Sequence, residues 1–163
     1  MERDFIKELG CLGLMSRLKR LSDSMAYGVR ELYKSEGLDI EPGWHLVFLL
    51  LKKHKTRTIT EIAESLGMSL PGVVKMINKM KENDYIEAGN DPYDSRKRQL
   101  RLSNKAKKAL PQFEKIWKAG EESLLGIVGP HHHAFLDQIE EIELRFSERT
   151  FSERVYEQMR IEQ

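Results

Sequence analysis

One cysteine, Cys11, occurs in 163 residues, so no internal disulfide can staple this chain. Its core must come from apolar packing, for which 40% hydrophobic residues at this length suffice. Long hydrophobic runs are also missing. No stretch approaches the roughly 20 apolar residues of a membrane span, and charged Glu2, Arg3 and Asp4 follow Met1 where a secretion signal would begin. The chain is expected to be soluble and cytoplasmic, with no membrane partner. Nor does it carry a nucleophile–base pair, metal-ligand spacing or a glycine-rich phosphate loop, so neither an enzyme nor a cofactor or metal site is expected. A net charge of +1 says little until it is divided along the chain. Residues 1–51 hold 7 Lys/Arg against 8 Asp/Glu, residues 52–108 hold 14 against 7, and residues 109–163 hold 6 against 11. Such a basic midsection is the electrostatic footprint of a nucleic-acid partner.

What is present is mostly helical periodicity. From Phe5 to Tyr33, Leu14, Leu18, Leu21, Met25 and Leu32 recur at helical spacing, which predicts one long amphipathic helix. Gly37, Asp39 and Pro42 break it before a strongly apolar segment, Trp44 to Leu51, that reads as a core helix. Beyond Leu102, Ser103 can cap a helix reaching about Val128, with Pro111 and Gly120 as points where it can bend or break. After Gly129-Pro130 the final segment places Leu136, Ile139, Ile142 and Phe146, then Phe151, Val155 and Met159, on one stripe. These terminal stripes lack a partner within one copy and are expected to pair with a second.

Between them lies a helix-turn-helix pattern. Thr58 and Glu61 have capping-box spacing. Ala63 is small where two helices cross, and Gly67 suits a left-handed helix end. Ile62, Leu66, Met68, Val73 and Ile77 can seal the corner. Ser69 is a good N-cap, and Pro71 is tolerated in a first turn because its missing amide would have no partner there. A second helix of this kind meets base edges with its N-terminal residues, here Ser69, Leu70, Pro71 and Gly72, with Lys75, Asn78 and Lys79 one and two turns on. Leu70 and Pro71 can touch a thymine methyl, Lys75 a guanine edge or a phosphate, and Asn78 an adenine or a phosphate. Asn83 to Glu87 then reads as a first wing strand. Asp91, Pro92 and Asp94 read as a tight turn carrying Arg96, Lys97 and Arg98, and Gln99 to Leu102 as a half-buried alternating strand. The expected fold class is mainly α with a small β-wing. It comprises a winged helix-turn-helix over about 40–110 and a helical dimerisation region from 1–36 and 111–163, in a single domain.

The run from about Ile40 to Leu110 resembles the MarR family of bacterial transcriptional regulators. The likeness rests on Glu61-Ile62-Ala63, Leu66-Gly67, the Asp91-Pro92-Tyr93-Asp94-Ser95-Arg96 wing and the Leu102-Ser103 step. It implies a homodimeric repressor on a palindromic double-stranded operator, with recognition helices in successive major grooves and Arg96 in a minor groove, its wing ordered by Asp94. The Leu9 to Ser22 stretch resembles a branch in which this domain is fused to an acetyltransferase; a chain ending at Gln163 is expected to carry the regulator half alone. Two residues depart from the family pattern. Asn83-Asp84 replaces a glycine-containing turn, and Gly72 weakens the recognition helix by up to about 1 kcal/mol relative to alanine.

The resemblance also implies release by a small aromatic or anionic effector, an oxidant or a metal. Trp44, His45 and Phe48 are candidate effector contacts, although an aromatic stripe of this kind is more often core. Cys11 is the one oxidisable thiol, with Tyr27 or Tyr33 as neighbours by analogy with a peroxide-sensing branch; otherwise it is a small apolar residue in a helix interface. His131, His132 and His133 point about 100° apart on a helix and cannot together face one metal, so a solvated helix start is expected. A winged-helix module that binds protein rather than DNA is the alternative function.

Overall fold

The computed structural model describes residues 4–90 and 98–161. The chain divides into two compact units, Met1–Pro111 and Gln112–Gln163. The first opens with α1 (Phe5–Glu8), a 3-10 turn (Gly10–Gly13) and α2 (Leu14–Ser35), where the apolar periodicity predicts one unbroken helix. The reason for the break is steric. Gly10 takes φ +55°, and a Cβ on Gly13 would lie 2.2 Å from the Ile6 carbonyl oxygen, so the chain folds back on itself where only hydrogen fits. An Arg20–Asp4 ion pair at 2.8 Å ties α1 to α2.

Next come α3 (Trp44–His54), β1 (Thr56–Arg57), α4 (Ile59–Leu66) and α5 (Leu70–Glu82). The local signals act as their chemistry dictates. Thr58 and Glu61 form a reciprocal capping box at the start of α4. Gly67 ends that helix at φ +60°, and the Ser69 side chain accepts from the Gly72 amide to begin α5. Val73, Ile77 and Met80 of α5 are fully buried with Ile62 of α4 and with Val47 and Phe48 of α3.

The wing starts later than its sequence suggests. Asn83 and Asp84 belong to the exit from α5, and β2 spans Ile86–Asn90. The Asp84 amide donates to the Lys81 carbonyl and that of Tyr85 to Met80, with Asp84 at φ +57°. This is a Schellman ending in which aspartate occupies the usual glycine position. Ser103 locks the turn by donating to the Asp84 carbonyl at 2.6 Å while its hydroxyl accepts from Ala106 at 3.0 Å. Since Asp84 contributes no side-chain bond here that glycine would forfeit, Asp84→Gly is expected to raise stability by about 0.5 to 1 kcal/mol, read as an upward shift in urea midpoint.

Strand β3 (Arg98–Leu102) pairs antiparallel with both β1 and β2, giving the order β1-β3-β2. Leu100 and Leu102 face the core while Arg101 faces solvent beside Glu87 of β2, at 3.1 Å. Helix α6 (Asn104–Val128) then runs on without interruption at Pro111 or Gly120.

The second unit consists of α6 from Gln112 onward, α7 (His132–Glu148) and α8 (Phe151–Ile161). The single predicted stripe is split here. Thr150 and Glu153 form a second capping box, the Thr150 amide donating to the Glu153 carboxylate at 2.8 Å and the Glu153 amide to the Thr150 hydroxyl at 3.4 Å. Leu136, Ile139, Phe146, Phe151 and Met159 all remain solvent-exposed. No helix among the described residues is long and apolar enough to cross a membrane.

Candidate nucleic-acid interface

Helix α5 buries one face, so the opposite face is free to meet a ligand. Leu70, Pro71, Val74, Lys75, Asn78, Lys79 and Glu82 line a shallow open groove along it. Five of these were expected from sequence. Val74 and Glu82 were not, although counting helical positions outward from buried Val73, Ile77 and Met80 would have found both. Ser69 and Gly72 sit at the helix start, where the Ser69 hydroxyl accepts from the Gly72 amide at 3.3 Å. Of the expected wing residues, Arg98 is exposed at the start of β3. Asp94, Arg96 and Lys97 lie outside the described residues.

A second basic cluster, unassigned from sequence, lies where α3 meets β1. Lys52, Lys53 and Lys55 are exposed there, and Lys55 takes φ +69° as the chain turns. The Arg57 guanidinium donates to His54 Nδ1 at 2.9 Å. Loss of hydration, then the charges of Arg57 and Lys53, hold the His54 pKa below its ordinary value of 6.5. Near neutral pH the ring is therefore neutral and accepts from Arg57.

What fixes α5 against its neighbours is a polar knot at its C-terminal end. The Tyr85 hydroxyl donates to Asp39 Oδ1, while Lys105 Nζ donates to Asp39 Oδ2 at 2.8 Å and to the Asn83 carbonyl at 2.9 Å. Lys105 also stands 4.2 Å from the Tyr85 ring centroid. Burial and the adjacent carboxylate push the Tyr85 phenol far above its usual range, so it remains a donor. Burial acts to raise the Asp39 pKa, but bonds from Lys105 and Tyr85 outweigh it and hold the carboxyl below 3.8. A depressed folded-state value means this contribution to stability is complete above pH 3.8 and is lost as pH falls through the lower value. Asp39→Asn is expected to flatten that acid limb of the stability curve while leaving the slope near neutrality unchanged, as measured by urea unfolding at stepped pH.

Residues 38–97 match the sequence profile of the MarR family. Over these residues the chain is similar to the MarR family. Solved structures share its fold. A MarR/EmrR family transcriptional regulator from Acinetobacter sp. ADP1 superposes with TM-score 0.71 at 14% identity, over 83% of this chain and 96% of that one. MepR of S. aureus, in a DNA complex, gives 0.68 at 18% identity over 80% and 94%. CouR, a transcriptional repressor bound to a 23-mer duplex, gives 0.67 at 23% identity over 88% and 98%. Comparison with curated protein sequences yields no match.

Within this fold the candidate sensing residues are dispersed. Trp44 and Phe48 are closed into the core, their rings edge-on to Tyr85 at 6.2 and 5.4 Å. His45 is half-buried, and loss of hydration lowers its pKa. Cys11 is exposed in the 3-10 turn; Tyr27 is exposed and Tyr33 buried. His131 is the N-cap of α7, and the His132 and His133 rings lie 4.0 Å apart. No group of three or more side chains able to hold a metal occurs among the described residues.

Proposed function

We propose that this chain is a MarR-like DNA-binding transcriptional regulator that works in the cytoplasm as a homodimeric repressor, sits on a palindromic operator and leaves it when a small effector binds. The observation that carries the dimer is the apolar surface of the helices. Leu18 and Leu21 on α2 are 56% and 60% exposed, and α7 and α8 present a continuous series of exposed Leu, Ile and Phe side chains. Exposed apolar area on this scale is a docking surface in a stable protein. Two copies of α5 placed by such a dimer would enter successive major grooves, while the basic residues of α3, β1 and β3 meet phosphate. Repression is supported by the likeness to CouR, a repressor seen on DNA. On α3, His45 is the candidate an effector can reach directly, because Trp44 and Phe48 are enclosed.

The test combines sedimentation with operator selection from genomic fragments. The expected outcome is a dimer that selects a palindrome with half-sites about 10 base pairs apart. The double variant Leu18→Glu/Leu21→Glu, which changes exposed positions, should be monomeric and lose operator affinity at least tenfold. A wild-type chain that sediments as a monomer while binding DNA would refute the dimer. A chain that retains no duplex would favour a protein-docking role.

A further inference from the structure

We propose that α5 reads its operator chiefly through thymine methyl groups, with Leu70 and Val74 as the reading residues. The inference rests on the DNA-binding reading and specifies its target. Leu70 and Val74 are 48% and 36% exposed, on a helix whose Val73, Ile77 and Met80 are buried. They stand at i and i+4, with Asn78 at i+8, so the outer ridge of the helix is apolar for its first two turns and only then carries an amide. Beside it runs a second ridge of Pro71, Lys75 and Lys79. From Leu70 to Gly72 the first turn has no side-chain donor to offer a base edge, since Leu70 and Pro71 are apolar and Gly72 has no side chain; the Ser69 hydroxyl before it accepts from the Gly72 amide, and α5 contains no arginine.

What such a surface can distinguish in the major groove is the one apolar group displayed there, the C5-methyl of thymine. The two lysines in the same groove supply the charge that brings it against a polyanion, which a purely apolar ligand would not require. Leu70 and Val74 are about 6 Å apart along the helix axis, and bases on one strand step by about 3.4 Å. The methyls they cover therefore lie within about two base steps of each other in each half-site.

The experiment uses the full chain and a duplex that it selects from a random pool, synthesised with thymine or with deoxyuridine at each position. Uracil keeps every hydrogen-bonding group and removes only the methyl. Binding is expected to weaken about fourfold for each covered methyl removed, hence about 16-fold for a symmetry-related pair. Leu70→Ala and Val74→Ala should each abolish the thymine preference at one position, with unchanged thermal unfolding and an unchanged salt slope. Equal affinity for the two duplexes at every position would overturn methyl reading and leave DNA binding intact. Failure to select any duplex would overturn both.

Discussion

Raising salt from about 50 to about 200 mM is expected to weaken operator binding about a thousandfold, because six phosphate contacts each contribute roughly −0.9 to the slope of log K against log salt. The number of contacts follows from the surface. Each protomer offers Lys75 and Lys79 from α5 and at least one of the exposed cations at the α3–β1 turn or the start of β3, such as Lys53 or Arg98. The overall charge of +1 would suggest a far weaker dependence. Close contact samples local charge, however, since fields decay within about 8 to 10 Å in such buffers. Fluorescence anisotropy at four salt concentrations provides the slope. Lys79→Ala should reduce it by about 1.8 in a dimer, one contact being lost from each copy. A slope shallower than about −2 would mean that the basic midsection does not face the duplex.

Phe48→Ala is expected to cost about 3 to 5 kcal/mol, a large share of the roughly 5 to 15 kcal/mol that holds a domain together. The ring has no exposed surface and meets Tyr85 edge-on at 5.4 Å. Its removal leaves a cavity beside Tyr85, the residue whose hydroxyl holds Asp39. Thermal unfolding should show a drop of roughly 6 to 20 °C, with DNA affinity recovered at low temperature if the corner still closes. A variant of wild-type stability that had lost only its response to a ligand would instead make Phe48 an effector contact, as the aromatic stripe on α3 first suggested.

The details legible in the sequence share a short range. The Thr58–Glu61 box, the Gly67 ending, the Ser69 cap and the alternation in β3 are each decided by residues within four positions of one another. By the same standard the Thr150–Glu153 box could have been read and would have divided the last helix; the apolar stripe continued across it and hid the break. The break at Gly13 was less accessible. It depends on how closely the glycine approaches the Ile6 carbonyl, while the spacing of leucines on either side stays helical. The late start of β2 was likewise invisible, because Asp84 takes a left-handed conformation supported by Ser103, 19 residues away.

Sequence alone determined the helix-turn-helix with its caps, the outward face of α5 and the basic character of the middle third, since periodicity, caps and charge are written residue by residue. Tertiary structure decided which aromatic rings are closed off and which carboxylate anchors the end of α5. Those outcomes turn on Tyr85 meeting Trp44, Phe48, Asp39 and Lys105. Groups so far apart along the chain acquire a shared environment only when the fold removes the water between them.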